Sequence, residues 1–406
     1  MERKDALCYN NDSRILVIKG KSSYEVLRTA ADEMITYWKQ KGIQVEVIDL
    51  NIIEQIMDQA KCSQIVIDAI TCEQNALIFS FQALLFDAVL PNGESVMTLA
   101  KCPVVGHIVD FPIYHKKSLE HAGDNMQIWC IDQYHEQFIR KYYPKVKQVR
   151  FAAHKGFKNN QKMIPWEERS IEVLFSGRFV PYEKWAKELE SLEDPLPGIG
   201  NLLINRMLEQ VTTPFEICLE QILIELNIIV EGVDYLEILE ALIPTYRLIY
   251  EFYRFMSVQV LLNSGIQVSV CGDGWENYPT QHPEKLNILE KNAVPIEKVL
   301  EYMGNSKVVL NAVPIFKAGG HERIFSGMLA GAVCVTDTNR FLEETISEEA
   351  VFYQIEEIEK LPVIVENVLN HPEKAVKIAQ KGYERALKDF TWEQEAEELL
   401  TYAIIK

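Results

Sequence analysis

Short apolar runs alternate with longer amphipathic stretches through the first part of the chain. "RILVIK" (14–19), "QVEVIDL" (44–50), "NALIFSF" (75–81), "CPVVGHIVD" (102–110), "QIWCID" (127–132) and "VKQVRF" (146–151) have the compact apolar character of buried strands. Between the first two, "SYEVLRTAADEMITYWKQKG" places apolar residues at helical spacing and ends on Gly. "YHEQFIRKYY" is helical in the same way. Strands separated by helices predict βαβ units and a parallel sheet covered on both faces. The polar stretch "HKGFKNNQKMIPWEER" (154–169) then predicts an interdomain linker.

The alternation restarts at "IEVLFSG" (171–177) and is interrupted almost at once. From about 182 to 264 the pattern is Leu/Ile/Glu-rich and helical, with "EDPLPGIGN" as a turn, which predicts an all-helical insertion. Strand patterns return in "IQVSVCGDG" (266–274), "SKVVLNA" (306–312), "GAVCVTD" (331–337) and "AVFY" (350–353). The tail (371–404) reads as two amphipathic helices joined near Phe390–Thr391. The expected fold class is α/β: two Rossmann-like, doubly wound domains facing a cleft, at 1–155 and 170–385, with the helical insertion in the second. A chain of 406 residues is long enough for both.

A formal net charge of −18 argues against general nucleic-acid or anionic-membrane binding, so an anionic ligand needs a local positive site. The eight cysteines (8, 62, 72, 102, 130, 218, 271, 334) show no metal-ligand spacing and read as small core residues of a reduced, cytoplasmic protein. "MERKDALCYNNDSR" lacks the apolar core of a signal peptide, and the most apolar segment, "FEICLEQILIELNIIVEG", carries too many Glu residues to span a membrane.

Three strand-to-loop junctions in the second half carry candidate chemistry. Gly319 and Gly320 precede a helical stretch beginning near His321, and a helix mouth offers unpaired N–H groups and the positive end of the macrodipole. His321 and Arg323 add side-chain donors there. Ser176, Gly177 and Arg178 form a second junction, where an arginine can fork onto phosphate oxygens. Gly272, Asp273 and Gly274 form a third, whose glycines allow close backbone approach. Taken singly, each has a structural reading as a tight turn or a polar cap. Together they point to a nucleotide containing a pyrophosphate.

The second half resembles the donor-binding domain of GT-B-fold glycosyltransferases, in particular the CgeB-like (spore maturation protein) group of family-1-type transferases. The similar stretches are "VLFSGR", "GDGW", "NSKVVLNAVPIF", "GGHERIFSGMLAGAVCVTD" and "LNHPEKAVKIAQKGYERALKDFTW". The resemblance implies a hexosyltransferase that binds a nucleotide-diphosphate sugar, a UDP-sugar being favoured, through its second domain. It also implies a final helix, 386–406, that crosses back to the first domain, and an acceptor hydroxyl on a glycan or protein. Related transferases place a Glu where this chain has Ser326, so the ribose contact falls to Ser326 or to Glu322 one turn earlier.

Glycosyl transfer with inversion needs a general base. Asp110 in "GHIVDFPIYH" is the leading candidate, with turn capping as its alternative role, and His107, His115 and His154 follow. No Asp-x-Asp triplet occurs, so a metal-independent site is expected, with no cofactor. The aromatic run "YRLIYEFYRFM" (246–256) reads as core and dimer face, and the insertion as packing, a homodimer contact or a docking surface for a protein. Two rival readings share the fold: a non-hydrolysing nucleotide-sugar epimerase, and a non-catalytic nucleotide-binding protein.

Overall fold

The computed structural model describes residues 13–22, 25–159 and 161–403. The chain divides into two compact units: 1–131, 135–152 and 392–406 form one, and 132–134 with 153–391 form the other.

The first unit is built on a six-stranded parallel sheet in the order β2-β1-β3-β4-β5-β6. Its strands are β1 (Arg14–Lys19), β2 (Gln44–Asp49), β3 (Asn75–Phe81), β4 (Val104–Ile108), β5 (Met126–Cys130) and β6 (Gln148–Phe151). β1, β3, β4 and β5 are buried along nearly their whole length on both faces, which is why they read as mostly apolar runs. Helix α1 (Val26–Gln40) buries Ala30, Met34 and Trp38 at helical spacing.

The second unit has its own six-stranded parallel sheet, in the order β12-β11-β10-β7-β8-β9. It comprises β7 (Ile171–Ser176), β8 (Val268–Cys271), β9 (Leu286–Glu290), β10 (Ser306–Asn311), β11 (Val333–Asp337) and β12 (Val351–Tyr353). β9 has no counterpart in the apolar pattern. It is an edge strand, half-buried or exposed throughout, and Asn287 and Glu290 break its run.

Between β7 and β8 lie five helices: α2 (Glu183–Glu190), α3 (Leu196–Glu209), α4 (Phe215–Glu225), α5 (Gly232–Ala241) and α6 (Ile243–Asn263). Later come α7 (Glu322–Leu329) and α8 (Pro372–Asp389). The last helix, α9 (Trp392–Tyr402), belongs to the first unit, where Trp392 is fully buried and the Trp38 indole donates to the Ala396 carbonyl at 3.1 Å. Ala386–Asp389, expected in the crossing helix, are the end of α8 in the second unit.

The stretch 154–169 is not a free linker. Phe157, Trp166 and Arg169 are buried, and Arg169 donates to the Ser306 carbonyl at 2.7 Å, so the segment is anchored within the second unit. Cys8 lies outside the described residues; Cys62 and Cys72 are half-buried and the other five cysteines are buried. Among the described residues no helix is long and apolar enough to cross a membrane.

Candidate functional site

Renumbered from its first strand, the second sheet runs 3-2-1-4-5-6, so the direction of winding reverses between β7 and β10. In open parallel sheets, ligands bind beyond the strand ends at this reversal. Ser176 ends β7 and Asn311 ends β10. Arg323 joins them: its Nε donates to Ser176 Oγ at 3.1 Å and its Nη1 to Asn311 Oδ1 at 2.7 Å. Arg323 is 5% exposed, and its guanidinium lies over the Phe175 ring. Burial, followed by the nearby charge of Arg254, pushes its pKa down to about 10. Both effects are those of a guanidinium buried beside a second cation, and together they outweigh the opposing charges of Tyr250, Glu322 and Asp337.

Arg254, on α6, is the second cation, and the sequence reading missed it. Its Nη2 donates to the Arg178 carbonyl at 2.8 Å and its Nη1 to the Tyr250 hydroxyl at 2.8 Å. Arg178 therefore serves through its backbone, and its own side chain is exposed. Gly177 sits between the two guanidiniums with φ +144°, a conformation that favours glycine. A Cβ there would stand 2.7 Å from Arg254 Nη2 and 3.1 Å from Arg323 Nη2.

The mouth of α7 lies at the same strand ends. His321 is its N-cap, with Nδ1 accepting from the Arg323 backbone N–H at 3.1 Å. Burial, then the charges of Arg323, His154 and Arg254, holds the imidazole well below the usual histidine range. A neutral ring accepting at Nδ1 carries its proton on Nε2, which makes Nε2–H a donor. His154 stacks alongside at 6.2 Å between ring centroids, with its Nδ1 2.9 Å from the Lys155 carbonyl.

The loop leading into this mouth is tied down from several sides. The Asp132 carboxylate accepts the backbone N–H groups of Lys317 and Ala318, each at 2.9 Å, and Gly319 pairs with Asp132 in an isolated bridge. Asn339 donates to the Gly319 carbonyl at 2.9 Å. Lys317 Nζ donates to the carbonyls of Val211 and Pro314, which fastens the α3–α4 connection of the insertion to this loop. Burial lowers the Lys317 ammonium to about 8 and raises the nearby Glu216 carboxyl on α4 to about 8.

Several expected donor contacts have other roles. At Gly320 a Cβ would stand 2.9 Å from the Phe325 ring, so the residue is small for packing. Ser326 is fully buried: its Oγ accepts from the Phe157 N–H at 2.9 Å and donates to Glu322 Oε1. It has no hydrogen left for a ribose hydroxyl. Glu322 is buried at the mouth, and burial raises its carboxyl. Gly272 and Gly274 allow one loop to approach another. A Cβ on Gly272 would meet the Gly177 carbonyl at 2.7 Å and one on Gly274 the Phe179 carbonyl at 2.5 Å. The Asp273 carbonyl accepts from the Phe179 N–H at 2.8 Å, and Trp275 Nε1 donates to the Gly177 carbonyl at 2.7 Å. The "GDGW" loop thus buttresses the Gly177 loop.

In the first unit, His107 lies inside β4, fully buried, with Nδ1 3.0 Å from Glu395 Oε1 of α9 and Phe81 stacked against it. A histidine enclosed this way cannot meet an acceptor. Asp110 is exposed beyond the carboxyl end of β4, where Gln82 donates to its Oδ2 at 2.5 Å. It does not cap the following turn, whose N-cap position is held by Phe111 without a side-chain capping hydrogen bond. His115, half-buried, has its pKa lowered chiefly by burial, opposed by the charge of Asp110. Among the described residues no three His, Cys, Asp or Glu side chains converge on a cation site.

Residues 254–401 match a protein-family model described as "Glycosyl transferase-like". No protein with a curated description matches the sequence. Among solved structures, HepE of Anabaena, determined with UDP and separately with UDP-glucose, superposes with TM-score 0.52 at 13% identity, covering 96% of this chain and 99% of that one. Sucrose-phosphate synthase from Thermosynechococcus elongatus gives TM-score 0.54 at 11% identity, over 95% and 97% of the two chains. A glycosyltransferase from Rickettsia africae gives TM-score 0.56 at 10% identity, over 97% and 98%. The fold is GT-B. Most of the helical insertion, up to residue 253, lies outside the family match, whereas Arg254, His321 and Arg323 lie within it.

Proposed function

We propose that the protein is a metal-independent, cytoplasmic glycosyltransferase of the CgeB-like group. It moves a sugar from a nucleoside-diphosphate donor, a UDP-sugar in the first instance, to an acceptor hydroxyl on a glycan or protein. The observation that carries this reading is Arg323, a buried guanidinium spanning the ends of β7 and β10 where the GT-B donor sheet reverses. The family match over 254–401 and the UDP and UDP-glucose held by HepE support it.

In the reaction the bond between the sugar's anomeric carbon and the diphosphate oxygen breaks, and a bond to the acceptor oxygen forms. Charge accumulates on the leaving diphosphate, where preorganised donors act most strongly. Arg323 supplies positive charge and His321 a neutral N–H. In an inverting reaction Asp110, an exposed carboxylate at a strand's carboxyl end, takes the acceptor's proton.

Calorimetric titration with UDP, GDP and dTDP, followed by product analysis with the matching nucleotide-glucose, tests the assignment. One diphosphate should bind well above its nucleoside, and an acceptor should yield a glycoside plus the free diphosphate. Conversion of the donor to its epimer without acceptor would make the protein an epimerase. Absence of binding to every diphosphate would remove the nucleotide reading altogether.

A further inference from the structure

We infer that the helical insertion forms part of the donor site, with Arg254 as the guanidinium it delivers to the diphosphate. This rests on the nucleotide-sugar reading above and extends it to a segment that the sequence pattern assigned to packing. Arg254 occupies the middle of α6, the longest helix of the insertion, and is 5% exposed. Besides its bonds to Tyr250 and to the Arg178 carbonyl, its Nε lies 3.3 Å from a carboxylate oxygen of Glu251. Its guanidinium also sits 4.9 Å from the Tyr250 ring centre and 5.0 Å from that of Phe175.

The row continues in both directions. Arg323 lies on the same Phe175 ring at 5.3 Å, while Arg247 lies 5.5 Å from Tyr250 and 5.3 Å from Trp185 on α2. Cation and ring alternate from Trp185 to Arg323, so the insertion fixes where the second guanidinium stands. An arginine needed only to satisfy the Arg178 carbonyl would not have to stand beside a second buried arginine. Yet both Nη2 atoms lie within about 3 Å of the place a Cβ on residue 177 would take, so the two guanidiniums crowd the same face of the Gly177 loop and only glycine leaves them room. Two forked cations side by side at a sheet reversal match the oxygens of a diphosphate, which accept paired N–H bonds from planar guanidinium groups.

The test measures calorimetric affinity for UDP and uridine in wild type, Arg254→Gln, Arg254→Lys, Tyr250→Phe and Arg323→Gln, with circular dichroism as a check on folding. Loss of a hydrogen bond to a charged group corresponds to roughly a 10- to 150-fold change in affinity. Arg254→Gln should weaken UDP by that order and leave uridine within about twofold. Arg254→Lys should recover only part of the loss, because an ammonium lacks the fork. Tyr250→Phe, which removes one hydroxyl, should fall between wild type and Arg254→Gln. If Arg254→Gln does not fold, the Lys and Phe variants carry the comparison. Wild-type UDP affinity in the Arg254 variants, with loss in Arg323→Gln, would overturn the inference and leave the nucleotide reading standing. A wild-type protein that binds no UDP, GDP or dTDP would overturn both.

Discussion

Replacing Arg323 by Met separates what this residue does for the fold from what it does for a ligand. With its pKa lowered to about 10 from an ordinary 12.5, the charged side chain costs the ligand-free protein on the order of 3 kcal/mol, at about 1.4 kcal/mol per pH unit. The sign is that of a depressed cation: at neutral pH, below both values, the full cost is present. Against this stand two charge-assisted hydrogen bonds, to Ser176 and Asn311, each worth roughly 1.5–3 kcal/mol. Met retains the apolar stem and removes both terms. Its net effect on ligand-free stability should therefore be a loss of no more than about 3 kcal/mol, as the difference of two opposing terms. The stabilisation by ligand should shrink as well. Wild type at about a hundredfold Kd of UDP gains roughly 2.7 kcal/mol, and a variant weakened by 1.5–3 kcal/mol gains only about 0.3–1.3 at the same concentration. Urea unfolding with and without UDP reads both quantities. A loss above about 4 kcal/mol without ligand, together with an undiminished UDP increment, would make Arg323 purely structural.

The remaining expectations concern other groups. Asp110→Asn keeps a carbonyl oxygen for Gln82 but cannot accept a proton, so turnover should fall by about 10²–10⁴ with UDP affinity intact. A loss below about threefold would pass the role to His115 or to a retaining mechanism without a protein base. Glu216 has a folded pKa raised to about 8, so its contribution to stability is fully present below about pH 4.5 and is lost as the pH rises towards 8. Urea unfolding of wild type against Glu216→Gln should show wild type losing ground across that window by up to a few kcal/mol; a constant difference would refute the burial argument. Turnover should survive EDTA, because guanidinium groups supply the positive charge; loss restored by Mn²⁺ would contradict this.

The strands were legible because burial on both faces writes itself into sequence as continuous apolar runs. β9 was not, being an edge strand with polar interruptions. The candidate site was legible only in part, for a different reason. Glycine marks a place where something approaches the backbone closely, but not what approaches. At Gly177 the neighbours are guanidinium groups, at Gly272 and Gly274 another loop, and at Gly320 a phenylalanine ring. Arg254 was hidden because its helix is apolar over most of its surface, so an aromatic-rich run with two arginines reads as core. The Lys317 contacts join α3–α4 to a loop about a hundred residues further on, and no local pattern encodes such a pairing. His107 looked available because it sits near a strand end, but α9, from the far end of the sequence, covers it.

That last placement bears on how the chain is made. The first unit's core contains Trp392, which meets the Phe81 ring at 5.4 Å, and the Trp38 indole donates to the Ala396 carbonyl of the same helix. A ribosome adding about 5–20 residues per second delivers α9 only after all of 153–391 has been synthesised. Although it starts first, the N-terminal unit must therefore finish last, holding an open apolar trough while the second unit is made. The usual order, in which domains complete themselves from the N-terminus onward, is reversed. An expression fragment cut near residue 152 would leave that trough permanently unfilled and prone to aggregate, whereas 153–391 contains nearly all of its own unit.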